Sequence, residues 1–245
     1  MFRIYPRPLG SAVRAIISIV SVLTVMVAGG LTAGEVAASE LGASEMAAGC
    51  PAVGFERQQL RVRLVPSKEI NDVLEPVQRE VEELWRPYGV DIIWEEAWNE
   101  VDSRPKPELF VFFVDRELER GRGGATPVAW ILFTEGTPRQ IVNVSVSAAR
   151  RLMNTTTWHN ERPIQQAPQN AQERLLGRMI GRALAHEIGH YLLSSAKHAE
   201  TGLMKPMISP AEFVRESRKH LTLVEDDART LRTARMASCQ LTASR

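Results

Sequence analysis

Three of the five histidines in this 245-residue chain fall between His186 and His198, and the first two stand four apart with Glu187 directly after the first. On an α-helix that spacing stacks both side chains on one face, so His186 and His190 can aim their imidazoles at a single point. Imidazole nitrogen is a common zinc ligand, and three protein ligands leave a fourth position open for water. Glu187 lies about 100° around the helix from His186. It stands beside the metal position, placed to act on a metal-bound water as general base and not to ligate. HExxH alone also occurs by chance on amphipathic helices, where its histidines are polar or core residues. Here a third histidine, His198, follows, and then the turn Gly202-Leu203-Met204, which favours the metal reading.

The element that must carry this motif is a long, mostly buried helix. Leu176, Ile180, Leu184, Ile188 and Leu192 recur at spacing four, and Leu175, Met179 and Ala183 lead onto the histidine face, so most of the circumference is apolar. Gly177, Gly181, Ala185 and Gly189 form a row of small residues along it. Each glycine costs about 1 kcal/mol of helix propensity relative to alanine. Close approach of a sheet or a second helix is the expected reason.

With these residues the chain resembles the zincin metallopeptidases, and among them the metzincins, whose pattern is HExxHxxGxxH followed by a turn with a methionine under the zinc. His186, Glu187 and His190 match it one for one. Leu193 stands where the family has glycine, and Ala196 where it has the third histidine; His198 is two residues late and Met204 is the candidate turn methionine. The resemblance implies zinc held by His186, His190 and His198, with Glu187 as general base in the hydrolysis of peptide bonds. The departures imply a divergent side branch.

Without the family's glycine the helix is expected to run on for a partial turn, with Ser194 and Ser195 making the reversal. Serine caps local backbone groups but does not relieve positive φ as glycine does. The third ligand therefore has competitors. Glu200 and Glu212 are two, since another zincin branch uses a glutamate, and His159 and His220 lie at longer range.

At the N-terminus Arg3, Arg7 and Arg14 precede an uncharged stretch, residues 15–34, rich in Ile and Val in its middle. A basic start, an apolar run and small residues after it read as a secretory signal peptide, with cleavage after Ala33 or Ala38. The stretch is also long enough to anchor the chain in a membrane, which takes about 20 apolar residues. Residues 35–50 are small and weakly acidic and read as a linker. Cys50 and Cys239 are the two cysteines. In an exported chain they permit one disulfide between the start and the end of the mature domain, against the alternative of two free thiols.

Residues 51–245 have the length of one ordinary domain. With 44% hydrophobic residues and a formal net charge of +1 the chain can bury a normal core and has no bias toward nucleic acid. Leu60 to Val65 alternates as a half-solvated strand. A helix is expected from Ser67 to about Tyr88, with Pro76 inside it as the point of a kink, and a strand from Val90 to Trp94. Leu109 to Val114, Val128 to Phe133 and Gln140 to Ser145 read as strands, the last after a Gly136, Pro138 turn. Ala148 to Met153 reads as a short helix, and 154–170 as a polar loop carrying Trp158 and His159. Ser209 and Pro210 open a helix to about Ser217, and another runs from Leu223 to Ala237.

The expected fold is α+β: a mixed twisted sheet of four to five strands, a long N-terminal helix, the central HExxH helix and a small helical C-terminal half. AWILF, residues 129–133, is the candidate edge strand that an extended substrate would join, with an ordinary inner strand as the alternative. The expectation is an exported zinc peptidase, secreted, periplasmic or at the cell surface, acting on protein or peptide. Two other readings stay open: a silent zinc-stabilised binding domain, and a zinc amidase of cell-wall peptide. Substrate preference, zymogen control and oligomeric state have no signature.

Overall fold

A computed structural model describes residues 57–65, 67, 68, 70–95, 109–115, 126–158 and 162–243, with side chains to residue 234. The N-terminal run, the linker, His159 and the pairing of Cys50 with Cys239 lie outside the described residues. Among the described residues no helix is long and apolar enough to cross a membrane.

The alternation of Leu60, Val62 and Leu64 with polar neighbours makes strand β1, Gln58–Val65. A 3-10 turn, Asn71–Val73, leads into α1, Leu74–Trp85, and β2, Val90–Glu95, follows. The helix thus starts later than its apolar period suggests. Pro76 sits in the first turn of α1, where its missing N–H is one that no intrahelical carbonyl would have accepted, so it breaks no helical bond. β3, Leu109–Val114, β4, Ala129–Thr134, and β5, Thr137–Ser145, complete a five-stranded sheet in the order β2-β1-β3-β5-β4. β1 is parallel to β2 and β3, β3 is parallel to β5, and β4 runs antiparallel to β5 along the edge.

AWILF is therefore an edge strand. Its hairpin turns at Glu135 and Gly136, both left-handed at φ 51° and 79°, the conformation of a two-residue hairpin loop. Pro138 was expected in that turn but lies within β5, where it pairs with Phe133. Among the described residues β3 pairs with β5 from Ile141 onward, so no ladder bond is lost there at the proline.

Ser145 caps α2, Val146–Asn154, by accepting from the Ala148 amide at 3.1 Å. The expected polar loop then contains the two-residue strands β6, Thr157–Trp158, and β7, Arg162–Pro163, before α3, Gln169–Leu192, begins. α4, Pro210–Val214, is shorter than expected and carries a full capping box between Ser209 and Glu212. α5, Glu225–Ala243, starts two residues later and runs further.

α3 packs on α1 through the row of small residues. A Cβ added at Gly177 would lie 2.4 Å from Pro76 Cβ, and one at Gly181 2.7 Å from Glu80 Cβ. The second helix is thus the close neighbour that the glycines admit. Beside this seam Arg182, fully buried, pairs through Nε with Glu80 Oε1 at 2.7 Å, and Arg218 pairs with Glu80 Oε2 at 2.6 Å and with Glu83 at 2.6 Å. Arg182 also donates to the Glu212 carbonyl, and Arg178 to that of Val214 at 2.8 Å. These bonds tie the C-terminal end of α4 to α3.

Candidate metal centre

His186 and His190 occupy one face at the end of α3, as their spacing requires, and His198 comes back to them from the loop that follows. Among the described residues these three form the group able to hold a metal ion, with one ligand atom from each within 4.8 Å of the others. His186 and His198 stack with ring centroids 5.3 Å apart, and His190 stands edge-on to both at 4.7 and 4.9 Å. Phe133 of β4 meets His190 edge-on at 6.0 Å, so the edge strand borders the cluster. His190 is buried and His198 exposed, which places the open side at His198.

The two helical imidazoles are held from behind by carbonyls. His186 Nδ1 lies 2.8 Å from Leu203 O, and His190 Nδ1 2.7 Å from Ser195 O. A carbonyl only accepts, so each Nδ1 carries the hydrogen and each Nε2 of the neutral ring carries a lone pair. Burial favours the neutral form: it pushes His186 down to about 4, against the Leu203 carbonyl and with help from His190 and His198. It lowers His190 as well, against the Ser195 carbonyl. The two Nε2 atoms then face each other at 3.1 Å, acceptor against acceptor. A cation between them resolves that conflict. Zinc–nitrogen bonds of about 2.0–2.1 Å in a tetrahedron put ligand atoms about 3.3 Å apart, so the His186–His190 pair has the spacing for zinc, and His198 stands within 4.8 Å as the third donor.

The chain reversal that brings His198 in time is a C-cap with serine at the left-handed position. Leu193 keeps a right-handed conformation and Ser194 takes φ 48°. Ser194 N donates to Tyr191 O and Ser195 N to His190 O, each at 3.2 Å, which is the Schellman pattern. The left-handed residue is Ser194, directly after Leu193. The same turn presents the Ser195 carbonyl to His190.

Met204 is buried under the helix. A Cβ at Gly189 would lie 2.3 Å from its Sδ, so the methionine touches α3 between the two histidines. The turn that carries it is closed by Ala199 N donating to Met204 O at 2.9 Å. Gly202, at φ 81°, faces Thr222 O, which a Cβ would approach to 2.1 Å; only glycine fits there.

Glu187 is 9% exposed, and burial pushes its carboxyl up to about 7, against a hydrogen bond from the backbone. That bond comes from the Ile131 amide in β4, which donates to Glu187 Oε2 at 2.9 Å. Among the described residues the competing ligands lie outside the cluster. Glu212 is engaged by Lys205 and by Ser209, whose hydrogen bonds hold its carboxyl down to about 2. Glu200 is exposed and outside the cluster. His220 is not in it either; burial, with Arg182 nearby, lowers its pKa.

The Ile131 amide and the carbonyls of Leu203 and Ser195 were not foreseen, because backbone partners leave no residue type to read. Arg182 did leave a signal, a charge in the middle of an apolar helix one turn before His186.

Neither the family models nor the curated proteins compared with this chain match it. Among solved structures it is similar to archaemetzincin from Methanopyrus kandleri, at 14% identity and a TM-score of 0.45, over 74% of this chain and 97% of that one.

Proposed function

We propose that this protein is an exported zinc-dependent peptidase that hydrolyses peptide bonds at the cluster of His186, His190 and His198. The observation that carries the reading is the pair of mutually facing Nε2 lone pairs, closed into a three-imidazole set by His198, with a buried carboxylate on the next residue of the helix. Zinc held there would supply Lewis acidity, lowering the pKa of water to about 7 and polarising a carbonyl oxygen.

The chain's own groups do the rest. Glu187, its carboxyl raised to about 7 by burial, takes the proton from the attacking water and passes it to the leaving amine; a base is most effective with a pKa near the working pH. The Leu203 and Ser195 carbonyls orient the two helical imidazoles, an arrangement that fixes the tautomer and raises ligand basicity. β4 offers an open edge beside the cluster, which suits an extended peptide held by backbone hydrogen bonds. A purely structural metal site has no use for a carboxylate in this place. Export rests on the basic start and the apolar run of residues 15–34.

The test is cleavage of a mixture-based peptide library by the full-length, zinc-loaded protein and by Glu187→Gln. Cleavage by wild type that is lost in the variant with its zinc retained supports the peptidase. Zinc retained by both with no cleavage by either moves the reading to a binding domain. Cleavage of cell-wall peptides alone moves it to an amidase.

A further inference from the structure

The buried hydrogen bond from Ile131 N–H to Glu187 Oε2 joins α3 to the edge of the sheet at 2.9 Å. Across the hairpin, Ser145 N donates to Val128 O at 2.8 Å. In an antiparallel ladder, hydrogen-bonded and non-bonded pairs alternate, so with the observed register Trp130 and Asn143 form the next bonded pair. Ala129 and Ile131 therefore turn their backbone groups away from β5, to the free edge of the sheet. Glu187 occupies one donor of that edge. Just beyond it the register slips between Ile131 and Phe133, an irregularity of the kind that ends pairing or re-aims a side chain next to a site.

We infer that the Ile131 amide is a positioning group for Glu187: it holds Oε2, leaves Oε1 as the oxygen that takes the proton, and is itself withdrawn from pairing with any peptide along β4. This rests on the reading of Glu187 as general base. The last torsion of a glutamate is broad, and one fixed donor removes most of that freedom. A misplacement of about 1 Å in such a group costs on the order of 10²-fold in rate. The edge strand thus sets the base as well as bordering the cleft, and a peptide added to β4 must pass Ile131 without its N–H.

Ile131→Pro in the full-length, zinc-loaded protein deletes this donor at an edge position whose N–H faces away from the sheet, where proline is tolerated. Ile131→Ala keeps the donor and shortens the side chain. With one fluorogenic peptide chosen from the library, the proline variant is expected to lose about 10–100-fold in kcat, the usual cost of removing an orienting partner, with KM and zinc content unchanged. The alanine variant, which keeps the donor, is expected to lose less kcat than the proline variant, and an equal loss in both overturns the inference. An unchanged kcat in Ile131→Pro overturns the inference, and so does a raised KM at constant kcat, which would put the amide in substrate pairing. Amide hydrogen exchange at Ile131 needs neither a folded proline variant nor activity. Slow exchange in wild type that is lost in Glu187→Ala supports the contact, and equal exchange in both refutes it. If wild type cleaves no peptide, the peptidase reading fails, and the exchange measurement still decides the contact.

Discussion

Two clusters of buried polar groups sit one turn apart on α3, and they are built in opposite ways. At Arg182 a guanidinium is placed between Glu80 and the Glu212 carbonyl, and both oxygens of Glu80 are taken, by Arg182 and Arg218. Charge meets charge, and apart from Nη2 of Arg182 the groups are satisfied. At His186 and His190 the outer nitrogens are satisfied by carbonyls while the inner ones face each other as acceptors. Apart from that one Arg182 nitrogen the first cluster is partnered within the protein; the second is arranged to take a cation. Burial that closes on itself fastens elements together, and burial that leaves lone pairs converging marks a site.

If the comparison holds, substitutions in the two clusters separate function from stability. Glu187→Gln is expected to have the largest effect, a loss of about 10²–10⁴-fold in kcat for a general base, with zinc content unchanged by metal analysis. The metal-free protein adds a pH test. Burial lifts the folded carboxyl from its ordinary 4.5 to about 7, so folding favours its protonated form, and that stability is full below pH 4.5 and lost as pH rises through 7. Urea midpoints of metal-free wild type should therefore fall relative to Glu187→Gln between pH 4.5 and 7, in the direction opposite to acid unfolding.

Arg182→Leu acts on stability instead. It leaves Glu80 buried with half its partners and is expected to cost about 3–5 kcal/mol in denaturant unfolding. The double variant Glu80→Leu, Arg182→Leu should recover most of that, because no uncompensated charge is left between the two sites. A double variant as unstable as the single one would show that the network holds more than its own charges.

Gly189→Ala lies between the two regimes. Its Cβ would meet the Met204 sulfur at 2.3 Å, and overpacking of this kind costs about 1–3 kcal/mol. Zinc affinity should fall with it, by competition with a chelator, since the clash is next to His190. Ser194→Gly is expected to have the smallest effect, a gain of about 0.5 kcal/mol in unfolding as the strain of the left-handed position is relieved against glycine's added chain entropy.

Much of this was legible in the chain because two signals coincided on α3: a 3.6-residue apolar period, and ligand types on one face of it. AWILF was legible as an edge strand only as one of two readings, since an apolar run of that length also suits an inner strand. The start of α1 was not, because Ile70 and Val73 continue the apolar period through a 3-10 turn. Pro138 was read as turn because its tolerance depends on where β3 begins to pair, a fact about another strand. The late third histidine was uncertain for a local reason: serine at φ 48° is an unusual choice. The contact of Glu187 with Ile131 spans 56 residues and involves a backbone amide, which no residue type announces.

The most direct test of the account is the zinc content of the full-length protein, for wild type and His198→Ala side by side. One zinc per chain in wild type and much less in the variant is the result expected from three converging imidazoles. Equal zinc in both would remove His198 from the site, and no zinc in either would contradict the metal centre itself.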